Sequence, residues 1–301
     1  MCCKIYLKTS ENDKNILFFK PPIVRGLFIW QKKTKMAEIA VLSDLSIYSW
    51  QIISLLVVAG FLVGFINTIA GSGTVITYSL FMMMGLPAGI ANGTIRLGVV
   101  MQTLVAGLNF KRNNFLDLKK GVKLALPVVA GSVLGAQIAV SIDEEVFRTI
   151  LAGVLFIMLI FLFLDPNRWL KDQLHLIEKK PGFVQILIFT GIGLYGGFIH
   201  IGVGILLLSA IVLNAGYDLV KANAIKILIV FLYSPFALAI FMLSDHIHYG
   251  IGLIAAAGNI LGGIVGSNMA ISRGNNFVRW VLMAVILLFA GYLIDLPQMI
   301  T

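Results

Sequence analysis

The sequence has 301 residues, of which 59% are hydrophobic and 12% are charged, and its formal net charge is +9. A soluble core cannot bury so many apolar side chains, so this composition, with a mean hydropathy of +0.95, excludes an ordinary soluble globular protein. The positive charge alone could suggest nucleic-acid binding, but the basic residues lie in short loops beside apolar stretches, which membrane topology explains better. The two cysteines, Cys2 and Cys3, lie in the N-terminal tail, so the body has no disulfide framework and no thiol for metal binding or nucleophilic chemistry.

We expect residues 1–50 to form an N-terminal tail. Its apolar stretch, residues 16–30, is interrupted by Lys20 and Arg25, which favours a tail or a segment on the membrane surface over a transmembrane helix. No small-residue cleavage site follows a clean apolar core, so the stretch is a poor signal peptide. Met36 offers an alternative start, and the sequence leaves open whether residues 1–35 belong to the native protein.

The membrane body divides into a first repeat, residues 51–164, a cytoplasmic linker, residues 165–182, and a second repeat, residues 183–295. Each repeat opens with an apolar segment that is too long for one ordinary span of about 20 residues and is broken by glycines. The breaks are predicted at residues 70–74 and 202–204. Three ordinary helices follow in each repeat, at about 88–110, 122–142 and 147–164 in the first and at about 219–243, 251–271 and 277–294 in the second.

Small residues recur at matching positions in the two halves. The matches are Gly60, Gly64 and Gly71 with Gly193, Gly197 and Gly204, and, after a shift of two residues, Ala91, Asn92, Ala106, Gly121, Gly131, Gly135 and Ala139 with Ala222, Asn223, Ala237, Gly252, Gly262, Gly266 and Ala270. Glycines spaced by four residues let helix backbones approach closely. Glycine-broken segments at matching places in two halves are typical of secondary transporters, whose binding site lies between the repeats.

The loop charges indicate how the broken segments thread through the membrane. If each segment is a hairpin that enters and leaves on one face, the basic loop at 111–123 and the basic linker share a face, whereas Asp143, Glu144 and Asp245 lie on the other. This split follows the positive-inside rule, and a full crossing of each broken segment does not. Three full crossings per half is an odd number, so the repeats must be inverted. We therefore predict an all-α polytopic membrane protein of the cytoplasmic (inner) membrane, with two inverted repeats that each contain a re-entrant or broken helical hairpin and three transmembrane helices.

Acidic residues are absent from the interiors of the predicted spans. A cation or proton carrier usually keeps a carboxylate in the membrane, because burying one is costly and needs a function. An intramembrane hydrolase would need paired acids, a Ser/His or Ser/Lys couple, or a metal cluster, and none is visible at a suitable spacing. We therefore expect no enzyme, no catalytic residue, no metal and no cofactor.

Two basic residues occur inside spans that lack acids. Arg96 follows Asn92 and Thr94, and Lys226 follows Asn223, at positions that the repeat makes equivalent. If the asparagines are N-caps, the cations lie in a first helical turn, where free N–H groups also favour an anion. If the helices begin at 88 and 219 instead, the cations lie about 10–12 Å deep at 1.5 Å per residue. Two interpretations stay open: an anion site, or side chains that reach out to the lipid headgroups.

Polar residues near the breaks are the remaining candidates. His200 stands beside the second break where the first repeat has Asn67, and it either packs as a hydrogen-bonded residue or couples transport to protons. Asn67, Ser72 and Thr74 are expected to contact a ligand because they lie at the first break. Most other polar residues, such as Gln102, are expected to hydrogen-bond between helices.

Several segments carry a resemblance to a known family: Gly64-Phe65-Ile66-Asn67-Thr68-Ile69-Ala70-Gly71-Ser72-Gly73, Gly85-Leu86-Pro87, Ala91-Asn92-Gly93-Thr94 and Asn109-Phe110-Lys111-Arg112. They resemble the TauE/SafE family of sulfite exporter-like permeases, and the runs 197–204 and 262–266 are similar to that family's second glycine signature. The resemblance covers about residues 50–294. It implies a bacterial cytoplasmic-membrane transporter for sulfite or small organosulfur anions, built from two inverted repeats. Ser72 interrupts what is often a longer glycine run, and His200 and Ile201 stand where the family often has small residues.

We therefore predict a secondary transporter that moves small anions, sulfite or an organosulfur anion, by alternating access. The alternative is a non-transporting membrane subunit or an intramembrane enzyme on the same scaffold. The expected partners are a small anionic substrate and the lipid bilayer, with no nucleic acid, and the oligomeric state stays open. The predicted substrate-binding residues are Asn67, Gly71, Ser72, Gly73, Thr74, Asn92, Thr94, Arg96, His200, Gly202, Gly204, Asn223 and Lys226.

Overall fold

The computed structural model describes residues 49–151, 153, 182–215 and 217–295. Most of the predicted tail, most of the predicted helix at 147–164 and nearly all of the linker at 165–182 lie outside these residues. The described residues belong to one compact unit, Ser46–Thr301.

The described part of the chain is helical and contains no strand. It has nine helices: α1 (Trp50–Ile69), α2 (Thr74–Met83), α3 (Ala88–Arg112), α4 (Leu118–Ser141), α5 (from residue 144, described to 151), α6 (Phe183–Phe198), α7 (Val203–Ala215), α8 (Leu219–Leu243) and α9 (Tyr249–Asp295). The first break lies at residues 70–73, as predicted. The second lies at residues 199–202, a little before the predicted 202–204, so Gly204 is inside α7.

Four of the described helices are long and apolar enough to cross a membrane: Trp50–Ile69, Leu118–Ser141, Leu219–Leu243 and Tyr249–Val285. About half of each lies inside the protein, and the outward side remains apolar, with exposed side chains such as Leu126 and Leu134. Water would make such a surface costly, whereas lipid tails would not. α9 is longer than one span, and Gly274, with φ 69° and ψ −164°, interrupts it where the sequence predicted the loop between two helices.

Local structure repeats between the two halves. α3 and α8 both have 25 residues and begin 131 residues apart, at 88 and 219. Each ends in the same turn, in which three N–H groups bond backward and a non-glycine residue has positive φ, 60° at Asn114 and 55° at Asp245. The repeat was predicted from small residues alone, and the structure shows that it also includes the backbone hydrogen bonds of these two turns.

The broken helix of each half packs against a helix of the other half. α1 lies against the first part of α9, and α6 lies against α4. A Cβ on any of the glycines at these crossings would overlap the facing backbone; the facing pairs are Gly60 with Ala255, Gly64 with Asn259, Gly193 with Val128 and Gly197 with Ser132. Glycines at these places allow the backbones to touch, as small residues do in membrane helix packing. The last residues of α1 and α6 are buried within the described part of the chain.

Candidate functional site

The two helix breaks meet. The backbone N–H of Gly204 donates to the carbonyl oxygen of Gly71 at 3.2 Å. A Cβ on either glycine would overlap the backbone of the other, so both positions need glycine for this approach. Each break also has one glycine in the left-handed region, Gly71 with φ 91° and Gly202 with φ 73°. Gly71 and Gly204, which the repeat makes equivalent, are therefore in contact. The positive φ belongs to Gly71 in the first break and to Gly202 in the second.

Arg96 holds the end of α6. Its Nη1 donates to the carbonyl oxygen of Gly196 at 3.1 Å, and its Nη2 donates to that of Gly197 at 2.6 Å. The guanidinium lies over the ring of Phe241, 4.6 Å from the centroid, and the residue is fully buried. The last carbonyls of a helix lack helical partners and carry the negative end of its dipole, so a cation stabilises them.

Lys226 holds the end of α1 in the same way. Its Nζ donates to the carbonyl oxygens of Asn67 at 3.0 Å and Thr68 at 3.2 Å, and the side chain is 1% exposed. Each cation therefore binds the broken helix of the other half. The interpretation that Arg96 and Lys226 reach out to lipid headgroups is wrong, because both side chains are buried and bonded inside the protein.

The two cations are not strictly equivalent. Arg96 comes eight residues after the start of α3, whereas Lys226 comes seven residues after the start of α8. One residue rotates a side chain by about 100° around a helix with 3.6 residues per turn. The expectation that they occupy matching positions is therefore wrong by one residue, and they face different surroundings.

No buried acid balances these cations among the described residues. Arg96 and Lys226 are the buried charged side chains of that part of the chain. The described ion pairs, Arg148 with Glu144 at 2.9 Å and Lys221 with Asp218 at 3.7 Å, involve partly exposed side chains elsewhere. Within the described ranges, no three His, Cys, Asp or Glu side chains are grouped so that they could hold a metal ion.

A small cavity lies where the breaks meet. Its volume is about 20 Å³. A water molecule needs roughly 10–15 Å³ of space, so the cavity has room for water. Five predicted residues line it: Asn67, Gly71, His200, Gly204 and Lys226. Gln102 and Thr103 of α3 also line it; the sequence had given Gln102 only a packing role.

Hydrogen bonds tie down the second break. The Asn92 Nδ2 donates to the carbonyl oxygen of Phe198 at 2.7 Å, and its Oδ1 accepts from the His200 N–H at 3.5 Å. The His200 Nδ1 pairs with the Tyr233 hydroxyl at 3.0 Å. No sequence signal pairs Tyr233 with His200, since Tyr233 lies in α8 and His200 lies in the break, 33 residues earlier in the chain.

Polar atoms at the first break are largely unpartnered. The hydroxyls of Ser72 and Thr74 and the Oδ1 of Asn67 are buried without a hydrogen-bond partner among the described residues. The same is true of both amide atoms of Asn223, inside α8. A buried donor or acceptor without a partner costs about 1–3 kcal/mol, so such a group usually marks a place for water or a ligand.

The other predicted residues do not line the cavity: Ser72, Gly73, Thr74, Asn92, Thr94, Arg96, Gly202 and Asn223. Two of them, Thr94 and Gly73, make other contacts. The Thr94 hydroxyl donates to the carbonyl oxygen of Ile90 at 2.7 Å and accepts from the His248 N–H at 2.9 Å, which ties α3 to the segment before α9. Gly73 packs against Val63 and Ile66 of α1.

Carboxylates occupy the starts of α3 and α8. Glu144 accepts from the N–H groups of Ala88 at 2.5 Å and Gly89 at 3.0 Å, and Asp218 caps α8 by accepting from the N–H groups of Val220 and Lys221. The predictions that Asn92 and Asn223 are N-caps, and that these helix starts offer free N–H groups to an anion, are wrong. Both asparagines lie inside the helices, and the cap of α3 comes from a residue 55 positions away.

Comparison with known proteins identifies the family. A sequence model described as "Sulfite exporter TauE/SafE" matches residues 56–293. The chain belongs to the sulfite exporter TauE/SafE family. It is 29% identical over 249 residues to "Probable membrane transporter protein ORF9" of Sinorhizobium sp, which covers 83% of this chain and 95% of that protein. It is 29% identical over 228 residues to a "Probable membrane transporter protein" of Haemophilus influenzae, with 76% of this chain and 89% of that protein covered.

A third relative is "Probable membrane transporter protein YfcA" of Escherichia coli K12, 27% identical over 220 residues, with 72% of this chain and 80% of that protein covered. No solved structure matches the chain. Together with the four apolar helices, the family and its relatives support a multi-pass membrane transporter.

Proposed function

We propose that this TauE/SafE family member is a secondary transporter that moves small anions, sulfite or an organosulfur anion, by alternating access. One observation carries the proposal: the two buried cations at the helix breaks, Arg96 and Lys226, have no buried acid to balance them among the described residues.

The charge argument favours an anionic substrate. Taking a charge out of water costs several kcal/mol even after the protein relaxes, and carbonyl dipoles offset only part of that cost. An anion between the breaks would add a full negative charge close to Lys226, which lines the cavity. A cationic substrate would add to the positive charge and raise the cost instead.

The proposed mechanism uses two inverted repeats, residues 51–164 and 183–295, joined by a linker at 165–182. The reciprocal packing of α1 on α9 and of α6 on α4 supports this division. In alternating access the repeats would move apart at the breaks to let the anion enter. The 3.2 Å hydrogen bond between Gly204 and Gly71 is one contact that this movement would open.

The proposed topology places the linker in the cytoplasm and both ends of the body outside the inner membrane. Cysteines introduced at Asp172 and Asp245, in protein that also carries Cys2→Ser and Cys3→Ser, test it with an impermeant thiol reagent, since the body has no native cysteine. Only the cysteine at position 245 should react from outside. Equal labelling of both from outside would contradict the hairpin threading.

Flux of radiolabelled sulfite into proteoliposomes tests the function. Purified protein should give uptake above that of protein-free vesicles, and unlabelled sulfite should compete. Flux equal to that of empty vesicles would contradict sulfite transport and favour a non-transporting role for the scaffold.

A further inference from the structure

The two buried cations differ in access to the cavity. Lys226 lines the cavity with Asn67, Gln102 and His200, whereas Arg96 is not among its lining residues. The shift of one residue between α3 and α8 explains the difference, because it turns the two side chains to different sides of equivalent helices.

The cations also differ in the donors they have left. An ammonium has three N–H donors, and the described bonds of Lys226 use two, to the carbonyl oxygens of Asn67 and Thr68. The guanidinium of Arg96 has five N–H donors and its described bonds also use two, to helix carbonyls, so donor number alone does not favour Lys226. Phe241 covers one face of the guanidinium. The Arg96 Nε has no described partner, but that residue lies outside the cavity lining.

The polar groups of the two breaks differ in the same direction, although Ser72 and Thr74 do not line the cavity. At the first break, the hydroxyls of Ser72 and Thr74 are buried and unpartnered. At the second break, the backbone N–H and the Nδ1 of His200 are already bonded, to Asn92 and Tyr233. Since Nδ1 is taken, Nε2 is the ring nitrogen that His200 can offer to a ligand.

We propose that the anion binds directly to Lys226, on the side of the first break, and that Arg96 is a positioning residue that holds the second break closed. This assignment rests on the proposed function, and it deepens it by making the site asymmetric within a repeated fold. The ammonium of Lys226 supplies the charge, and His200 supplies a neutral contact from the other half. A compact oxyanion fits these donors, because its oxygens can accept several hydrogen bonds at once.

A pair of equivalent cysteines tests the assignment. Thr103 lines the cavity, and Ser234, which occupies the equivalent place in α8, is equally buried but does not line it. Thr103→Cys and Ser234→Cys are made in full-length protein with Cys2→Ser and Cys3→Ser, so that each has one thiol. Each protein is treated with 2-sulfonatoethyl methanethiosulfonate, which is anionic, and with methyl methanethiosulfonate, which is neutral. The measured quantity is the ratio of the two labelling rates.

We expect Thr103→Cys to favour the anionic reagent more than Ser234→Cys does. Adding Lys226→Met should lower the ratio at Thr103→Cys about tenfold, since a charged cleft raises the arrival rate of an opposite charge by at least that factor. Lys226→Arg should keep the ratio. Arg96→Gln, or Arg96→Lys where the neutral variant does not fold, should leave it unchanged.

Three outcomes would overturn the assignment: no reaction at Thr103→Cys, a ratio that Lys226→Met leaves unchanged, or a ratio that falls as much with either Arg96 variant. The same proteins separate this assignment from the substrate. Sulfite should slow the labelling of Thr103→Cys. If the charge preference is present but sulfite gives no protection, the Lys226 site stands and the proposed substrate is wrong.

Discussion

The first break, residues 70–73, and the second break, residues 199–202, occupy the same place in the two halves but differ in how their polar groups are satisfied. At the second break, Asn92 bonds the end of α6 and His200 pairs with Tyr233. At the first, Ser72 and Thr74 have no described partner, and neither does Asn223, the residue of α8 that is equivalent to Asn92. Among the described residues, the first break therefore keeps more unpartnered polar groups than the second.

The largest effect should come from Arg96→Gln. This change removes two charged hydrogen bonds to the end of α6, each worth about 1.5–3 kcal/mol, and leaves two carbonyls unpaired. We expect a large loss of folded protein, measured by thermal unfolding in detergent. Arg112→Gln, at the exposed end of the same helix, is the control and should unfold like the wild type. Equal stability of Arg96→Gln and the wild type would contradict a role in holding the second break.

Gly71→Ala tests whether the close contact between Gly71 and Gly204 contributes to stability. Gly71 and Gly85 have similar positive φ values, 91° and 87°, so alanine costs each about 1–2 kcal/mol for the left-handed backbone. A Cβ at Gly71 would also overlap Gly204, whereas a Cβ at Gly85 meets nothing within 4 Å. The melting temperature of Gly71→Ala should therefore fall further than that of Gly85→Ala. Equal decreases would show that the breaks do not need to touch.

Alanine substitutions at the equivalent residues Asn92 and Asn223 compare the two halves directly. Asn92→Ala leaves the carbonyl of Phe198 unpaired, so we expect a loss of about 1–3 kcal/mol in the free energy of unfolding. Asn223→Ala removes an amide with no described partner and should change stability little, while lowering sulfite flux in proteoliposomes. If Asn223→Ala is less stable than Asn92→Ala, then the hydrogen bond of Asn92 to Phe198 does not distinguish the two asparagines in stability.

The smallest effect concerns Glu144 at the start of α3. Burial raises the pKa of this carboxyl, but the N–H groups of Gly89 and Ala88 and the side chain of Arg148 outweigh it, so the pKa lies below its usual value. Because the folded-state pKa is lowered, the stabilisation is present above about pH 4.3, the ordinary glutamate pKa, and is lost as the pH falls through the folded-state value. Glu144→Gln should therefore melt with less dependence on acid pH than the wild type. Parallel melting curves from pH 7 to pH 3 would exclude this contribution.

Local sequence predicted the positions of the helices better than it predicted the hydrogen-bond partners of the polar side chains. The break predicted at 70–74 is found at 70–73, and the bounds predicted for α8 are confirmed; both follow from glycines and apolar runs of span length. The second break was placed too late because Ile199, His200 and Ile201 carry no glycine signal.

The partners of the polar residues could not be predicted from local sequence, because they lie far along the chain. Arg96 binds carbonyls that are 100 and 101 residues away, and Glu144 caps a helix 55 and 56 residues away. Arg96 and Lys226 look equivalent in the sequence because each follows an asparagine in a similar segment. The starts of α3 and α8 show that their positions in the two helices differ by one residue.

The central claim is that a small anion is moved through a site whose charge is supplied by Lys226. Sulfite flux into proteoliposomes that contain wild type, Lys226→Met or Lys221→Met tests it most directly, since Lys221 lies on the same helix with its side chain 54% exposed. The account predicts flux above that of empty vesicles for the wild type and Lys221→Met, and flux at least about tenfold lower for Lys226→Met at equal amounts of folded protein. Undiminished flux in folded Lys226→Met would contradict it.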